Sequence, residues 1–135
     1  MSRGYTILRF LLVGMVNTLL GLTIIYIAKW FLGIGDVMAN ASGYGIGLLA
    51  SFFLNRSWTF AYDGPGGRAF LAFLTVQGVA YGLNLACVMS LIGYGFDSYV
   101  AQALGVLPYT TVSYLGSRYL VFSSVPKIFI NQDNR

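Results

Sequence analysis

The sequence predicts an all-α integral membrane protein, with four transmembrane helices arranged as two tandem, parallel-repeat helical hairpins and both termini cytoplasmic. Three observations carry this prediction. Of 135 residues, 57% are apolar and only 9% are charged, whereas a soluble domain carries roughly 25% charged residues to cover its wet surface. Four apolar stretches, 7–28, 37–54, 70–92 and 99–121, approach or exceed the roughly 20 residues that cross a bilayer as a helix. One arginine-centred motif occurs twice, as S-F-F-L-N-R-S-W-T-F at 51–60 and S-Y-L-G-S-R-Y-L-V-F at 113–122.

The length suits a single domain over 1–135. The first apolar run is too long for the core of a signal peptide and has no small-residue cleavage site after it, so it is expected to remain as a first span. K-W-F-L-G-I-G-D at 29–36 links it to the second span. The middle link at 61–69 holds D-G-P-G-G-R, a turn signal. G-Y-G-F-D at 93–97 joins the last two spans. Both outer links are short, contain glycine and end in Asp. The polar end at 131–135 is expected to be loosely ordered.

Charge sets the orientation. Arg3, Arg9, Arg56, Arg68, Arg118, Lys127 and Arg135 fall on the side of the termini and middle link, and Lys29 alone falls on the other. Basic residues collect on the cytoplasmic side, which places both termini there. The sequon at Asn55-Arg56-Ser57 would then lie at a cytoplasmic helix end, where it is not an acceptor for glycosylation. Tyr5, Trp58, Tyr62 and Tyr119 on one side, and Trp30, Tyr94 and Tyr99 on the other, read as interfacial anchors.

The duplication extends beyond the arginines. At the same offset of 62, A-N-A-S-G (39–43) aligns with A-Q-A-L-G (101–105), and six of 22 ungapped positions are identical between 39–60 and 101–122. F-L-L-V (10–13) aligns with F-L-T-V (73–76) only after a shift by one. Two spans per copy give both copies the same direction through the membrane, so they relate by an axis along its normal. Arg56 and Arg118 would then face that axis from the cytoplasmic side. Ala39, Gly43, Gly47 and Ser51, and Gly78, Gly82, Ala86 and Ser90, recur every four residues and form small-residue faces for close packing. Pro108 interrupts the fourth span, either as a packing kink or as the opening of a lateral groove.

Few polar side chains lie at depth: Asn17, Thr18, Gln77, Tyr81, Asn84, Thr110 and Thr111. They serve either as interhelical hydrogen bonds or as a path for hydroxyl-bearing cargo, since an unsatisfied amide in hydrocarbon is costly. None of the acids Asp36, Asp63, Asp97 and Asp133 lies within a span. A small proton-coupled drug antiporter has a similar size but needs an intramembrane carboxylate, which this chain lacks. No paired carboxylates, nucleophile–base pair or metal set can be assembled, so no enzyme activity, catalytic residue, metal or cofactor is expected, nor a nucleic-acid partner. Cys87, in an apolar run, reads as a small buried hydrophobe. Arg9, Arg56 and Arg118 are each followed by further apolar residues and so sit deeper than the other cations. Snorkelling explains each alone. Together on one side they suit a phosphate, whose oxygens a planar guanidinium binds in pairs.

R-F-L-L-V-G-M-V-N-T (9–18), S-F-F-L-N-R-S-W-T-F (51–60) and S-Y-L-G-S-R-Y-L-V-F (113–122) resemble the GtrA-like family of small four-span membrane proteins over roughly residues 5–123. Ser117 stands where the first copy has Asn55. The resemblance implies a multi-pass protein of a bacterial or archaeal inner membrane that translocates a polyprenyl-phosphate-linked sugar to the outer leaflet for cell-envelope polysaccharide synthesis. It also implies a membrane glycosyltransferase as partner. The resemblance points to Arg9, Asn17, Asn55, Arg56 and Arg118 as site residues. Arg56 and Arg118, helped by Arg9, are expected to bind the phosphate, and Asn17 and Asn55, with Gln77, Asn84 and Thr110 from the polar residues at depth, to offer hydrogen bonds to the sugar. Four spans enclose little volume, which points to a homodimer or larger assembly in lipid. The alternative is a non-transporting adaptor that positions an envelope glycosyltransferase.

Overall fold

Long proline-free runs of Leu, Ile, Ala and Phe propagate as helix. They give α1, Arg3–Trp30, and α3, Gly66–Gly93, each of 28 residues, in a computed structural model that describes residues 3–123. At about 1.5 Å per residue such a helix is about 42 Å long, the thickness of a bilayer with its headgroups. Both are long and apolar enough to cross a membrane. The second helix of each half is shorter. α2, Asp36–Leu54, and α4, Ser98–Gly116, have 19 residues each, and each continues without a break into a five-residue π-helical turn: π1, Asn55–Thr59, and π2, Ser117–Val121. All described regular structure is helical.

The chain divides after Ala61 into two units. In the first, α1 packs on α2 with antiparallel contacts, which place Gly21 against Gly43, Asn17 against Gly47 and Arg9 against Trp58. In the second, α3 packs on α4 in the same sense, with Val88 against Gly105, Gln77 against Ser113 and Val76 against Gly116. The buried positions are small or few: Ala39, Ala80, Ala101 and Phe73 are wholly buried, whereas Leu120, Leu71 and Phe31 are exposed. A surface this apolar is suited to lipid rather than water.

The repeat is visible in the backbone. α2 and α4 begin and end at the same offset of 62, and so do the left-handed glycines of the outer links, Gly33 at φ 63° and Gly95 at φ 93°. α1 and α3 end one residue out of that register, at Trp30 and Gly93, so the link 94–97 is one residue shorter than the link 31–35. This is why Phe10–Val13 aligns with 73–76 only after a shift by one.

Several sequence expectations are refined. Helix α3 starts at Gly66 behind Pro65, so Arg68 belongs to its first turn rather than to the link. The two terminal aspartates of the links are not equivalent. Asp97 caps α4 by accepting from the backbone N–H groups of Tyr99 at 2.9 Å and Val100 at 3.4 Å, whereas the N-cap of α2 is Gly35. Helix α4 continues on both sides of Pro108. Cys87 is half-buried rather than buried. The polar end at 131–135, Lys127 and Arg135 lie outside the described residues.

Close approach of α1 and α2 rests on Gly43. An added Cβ there would lie 2.8 Å from the Gly21 carbonyl oxygen and 2.5 Å from Ile25 Cγ1. Backbone cannot yield cheaply, so Gly43→Ala should cost about 1–3 kcal/mol. Gly78 has open space around its Cβ position, and Gly78→Ala should gain up to about 1 kcal/mol from helix propensity. Thermal unfolding of detergent-solubilised variants checks both; equal midpoints would remove the packing role given to Gly43.

Candidate functional site

A π turn closes its hydrogen bond over five residues instead of four, which admits one extra residue per turn. In π1 the Phe60 N–H donates to the Asn55 carbonyl at 2.9 Å, and in π2 the Phe122 N–H donates to the Ser117 carbonyl at 2.8 Å. The two repeated arginines, Arg56 and Arg118, each occupy the second position of such a turn, and both are half-buried. Each follows a fully buried polar residue, Asn55 at 1% exposure and Ser117 at 0%. Their fifth positions, Thr59 and Val121, are buried as well. Widened turns are uncommon and often mark functional segments; here the widening coincides twice with the arginine.

Two of the deeper arginines, Arg9 and Arg118, are held differently. Arg9 donates from Nη1 to the Trp58 carbonyl at 3.1 Å, and its guanidinium lies 5.3 Å from the Trp58 ring centroid. Trp58 sits in π1, close to the helix end, where carbonyls lack intrahelical partners and cations are favoured. Arg9 thus braces the turn that carries Arg56. Phe10 and Phe60 pack at 6.3 Å beside it. Arg118 donates from Nη1 to the Tyr114 hydroxyl at 2.7 Å and lies 5.5 Å from the Tyr119 ring centroid. Tyr62 packs edge-on against Phe122 at 5.6 Å. Trp58, Tyr119 and Tyr62, expected as membrane anchors, therefore support the arginine turns.

Of the polar residues at depth, Gln77 is an interhelical link. Its Nε2 donates to Ser113 Oγ at 2.8 Å, and its Oε1 accepts from the Tyr109 hydroxyl at 2.9 Å and from Ser113 Oγ at 3.1 Å. Thr18 and Thr111 return their hydroxyls to their own helices, at Gly14 and Leu107. Asn84 lies against Gly105, whose Cβ would meet its Nδ2 at 2.8 Å. Thr110 is half-buried in α4 and makes no side-chain hydrogen bond among the described residues. Asn55 Nδ2 donates to Ser51 Oγ at 3.2 Å. Asn55 Oδ1, Asn17 Oδ1, Thr59 Oγ1 and Ser117 Oγ are buried without a hydrogen-bond partner among the described residues.

Sequence reasoning missed Thr59, Trp58, Tyr109 and Tyr114. The only signal for Thr59 was its place inside the repeated motif, three residues after Arg56. Trp58 and Tyr114 sit two after Arg56 and four before Arg118, but nothing local marks either as a partner.

Residues 9–122 match the family model described as GtrA/DPMS, transmembrane domain. No curated protein matches the chain. The match and the apolar helices make this a membrane protein.

A buried hydroxyl without a partner is a standing cost of about 1–3 kcal/mol. Thr59→Val, which keeps the shape and removes that oxygen, should stabilise the protein by about 1 kcal/mol or more, and Ser117→Ala should act in the same direction. Resistance to thermal or SDS-induced unfolding measures this; a loss of stability in both would mean that these oxygens are satisfied in the membrane.

Proposed function

Since the chain belongs to the GtrA/DPMS transmembrane-domain family, we propose that it translocates a polyprenyl-phosphate-linked monosaccharide from the cytoplasmic to the outer leaflet, without enzymatic turnover, for a membrane glycosyltransferase that builds cell-envelope polysaccharide. Four spans cross the membrane as two hairpins of the same direction, with both termini cytoplasmic. The seven basic residues on the terminal side against Lys29 on the other support that orientation. The membrane is the inner membrane of a bacterial or archaeal cell, and the working unit is a homodimer or larger.

The observation that carries the reading is the paired π turns. Arginine in a bilayer costs about 2.5–3.5 kcal/mol at the centre of a span on insertion scales. This chain places one, half-buried, at the same position of two widened turns. Such a residue suits capture of an anionic headgroup, and its planar fork matches phosphate. Arg56 and Arg118 bind the phosphate directly. Arg9 sets the position of Arg56 through Trp58 and shares the charge. Asn17, Asn55, Asn84 and Thr110 offer hydrogen bonds to the sugar, while Gln77 holds α3 to α4. With no acid in a span, movement runs downhill, drawn by consumption of the sugar on the far side.

In liposomes, the purified protein should accelerate transbilayer movement of a labelled polyprenyl-phosphate sugar. Arg56→Gln and Arg118→Gln should each slow it about tenfold or more, with insertion and unfolding midpoint unchanged. Folded wild-type protein no faster than empty liposomes would refute the translocase, and retention of a glycosyltransferase by both variants would favour the adaptor instead.

A further inference from the structure

In the first hairpin, a cleft of about 210 Å³ opens between α1 and α2, lined by Asn17, Thr18, Gly21, Gly43, Tyr44 and Gly47 among others. It lies at mid-helix: Asn17 is halfway along Arg3–Trp30, and Gly47 is close to halfway between Asp36 and Thr59. The Asn17 amide lies directly over Gly47, where an added Cβ would come within 2.6 Å of its Oδ1. That Oδ1 is buried and has no hydrogen-bond partner among the described residues. The neighbouring hydroxyl of Thr18 is already given to Gly14 at 3.0 Å. The cleft therefore contains one amide group whose hydrogen-bonding capacity the protein does not use.

We infer that this cleft is a second station on the crossing path, where a hydroxyl of the sugar meets the Asn17 amide, deeper in the membrane than the arginine turn. The inference rests on the translocase reading. The chemistry selects the ligand class. Oxygen and nitrogen of the amide can exchange places, so the unused atom is an acceptor in one orientation and a donor in the other. A hydroxyl satisfies either, a phosphate oxygen only the second, and a polyprenyl chain neither. The volume is below the roughly 300–1,000 Å³ of pockets for drug-sized ligands, a scale that suits a single sugar ring.

Distance makes the station separate from the phosphate site. Asn17 is eight residues from Arg9, and Gly47 is nine from Arg56, so the cleft lies about 12 Å further along the helices. That is more than two turns deeper than the arginine turn. The second hairpin offers no copy. In its register Ala80 replaces Asn17 and Tyr109 replaces Gly47, and the Tyr109 hydroxyl is bonded to Gln77 at 2.9 Å. This cleft is thus a feature of the first hairpin, without a counterpart in the second.

The test uses full-length protein with polyprenyl-phosphate glucose and bare polyprenyl phosphate as probes. Asn17→Leu removes the amide. Gly21→Ala narrows the cleft with an ordinary contact, its Cβ lying 3.6 Å from the Gly43 carbonyl oxygen, and so guards against a fold-breaking result. Both variants should move the glucose-bearing lipid about three- to tenfold more slowly than wild type, the effect of losing one hydrogen bond. Both should bind bare polyprenyl phosphate as wild type does, because capture at Arg56 is untouched. Unchanged movement in both variants would overturn the station while leaving the translocase standing, as would loss of bare-carrier binding in parallel with movement. Wild-type protein that moves no glucose-bearing lipid would overturn both readings together.

Discussion

Hydrocarbon offers no water to a backbone N–H or carbonyl, so a chain in the membrane must close every backbone hydrogen bond on itself. The arginine turns meet this constraint by widening the helix instead of ending it. The Asn55–Phe60 and Ser117–Phe122 bonds keep the ladder closed while one extra residue is accommodated. The side chains at the start of each turn, Asn55 and Ser117, are driven inward, and the arginine that follows remains half-exposed. The price is a set of buried oxygens without partners. Arg9 then meets the same constraint from the other helix, by taking the Trp58 carbonyl.

Much of this was legible in the sequence. Composition alone gave the membrane class, and two copies of one motif gave the internal repeat, because identity at a polar position inside apolar sequence is rarely accidental. The shift by one between the first helices of each copy was also visible, and the unequal outer links account for it. The π turns were not legible. L-N-R-S-W and G-S-R-Y-L share only the arginine, and widening is a property of the backbone that no residue type announces. The cluster of Gln77, Tyr109 and Ser113 was missed because it needs the register between two helices, not along one. Arg9 was read as a third phosphate ligand that helps Arg56 and Arg118. Its bond to Trp58 gives it a bracing role that sequence spacing, with the two 49 positions apart, could not reveal.

The two hairpins share a frame and differ in content. Gly43 meets Ile25 and Gly21 as Gly105 meets Val88 and Asn84, so close approach is built at the same level in both. Four residues further along the second helix, the copies part: Gly47 leaves space beneath an amide, and Tyr109 fills its counterpart and ties off Gln77. One half is thereby knitted by side-chain hydrogen bonds and the other is left with an open polar notch. Duplication supplied the scaffold, and divergence at a few interior positions distinguished the halves.

The unequal outer links carry a consequence for anyone who would rebuild this molecule from one of its halves. A one-residue slip turns an α-helix by about 100°, enough to present a different face to its neighbour. A symmetric chimera made by grafting α1 onto α3 at the constant offset of 62 while keeping the link 94–97 would leave α4 in place and turn the grafted helix's face away from Gly105 and Gly116. The graft succeeds only if its own link, 31–35, travels with it. The short connection is what keeps each pair of helices in phase.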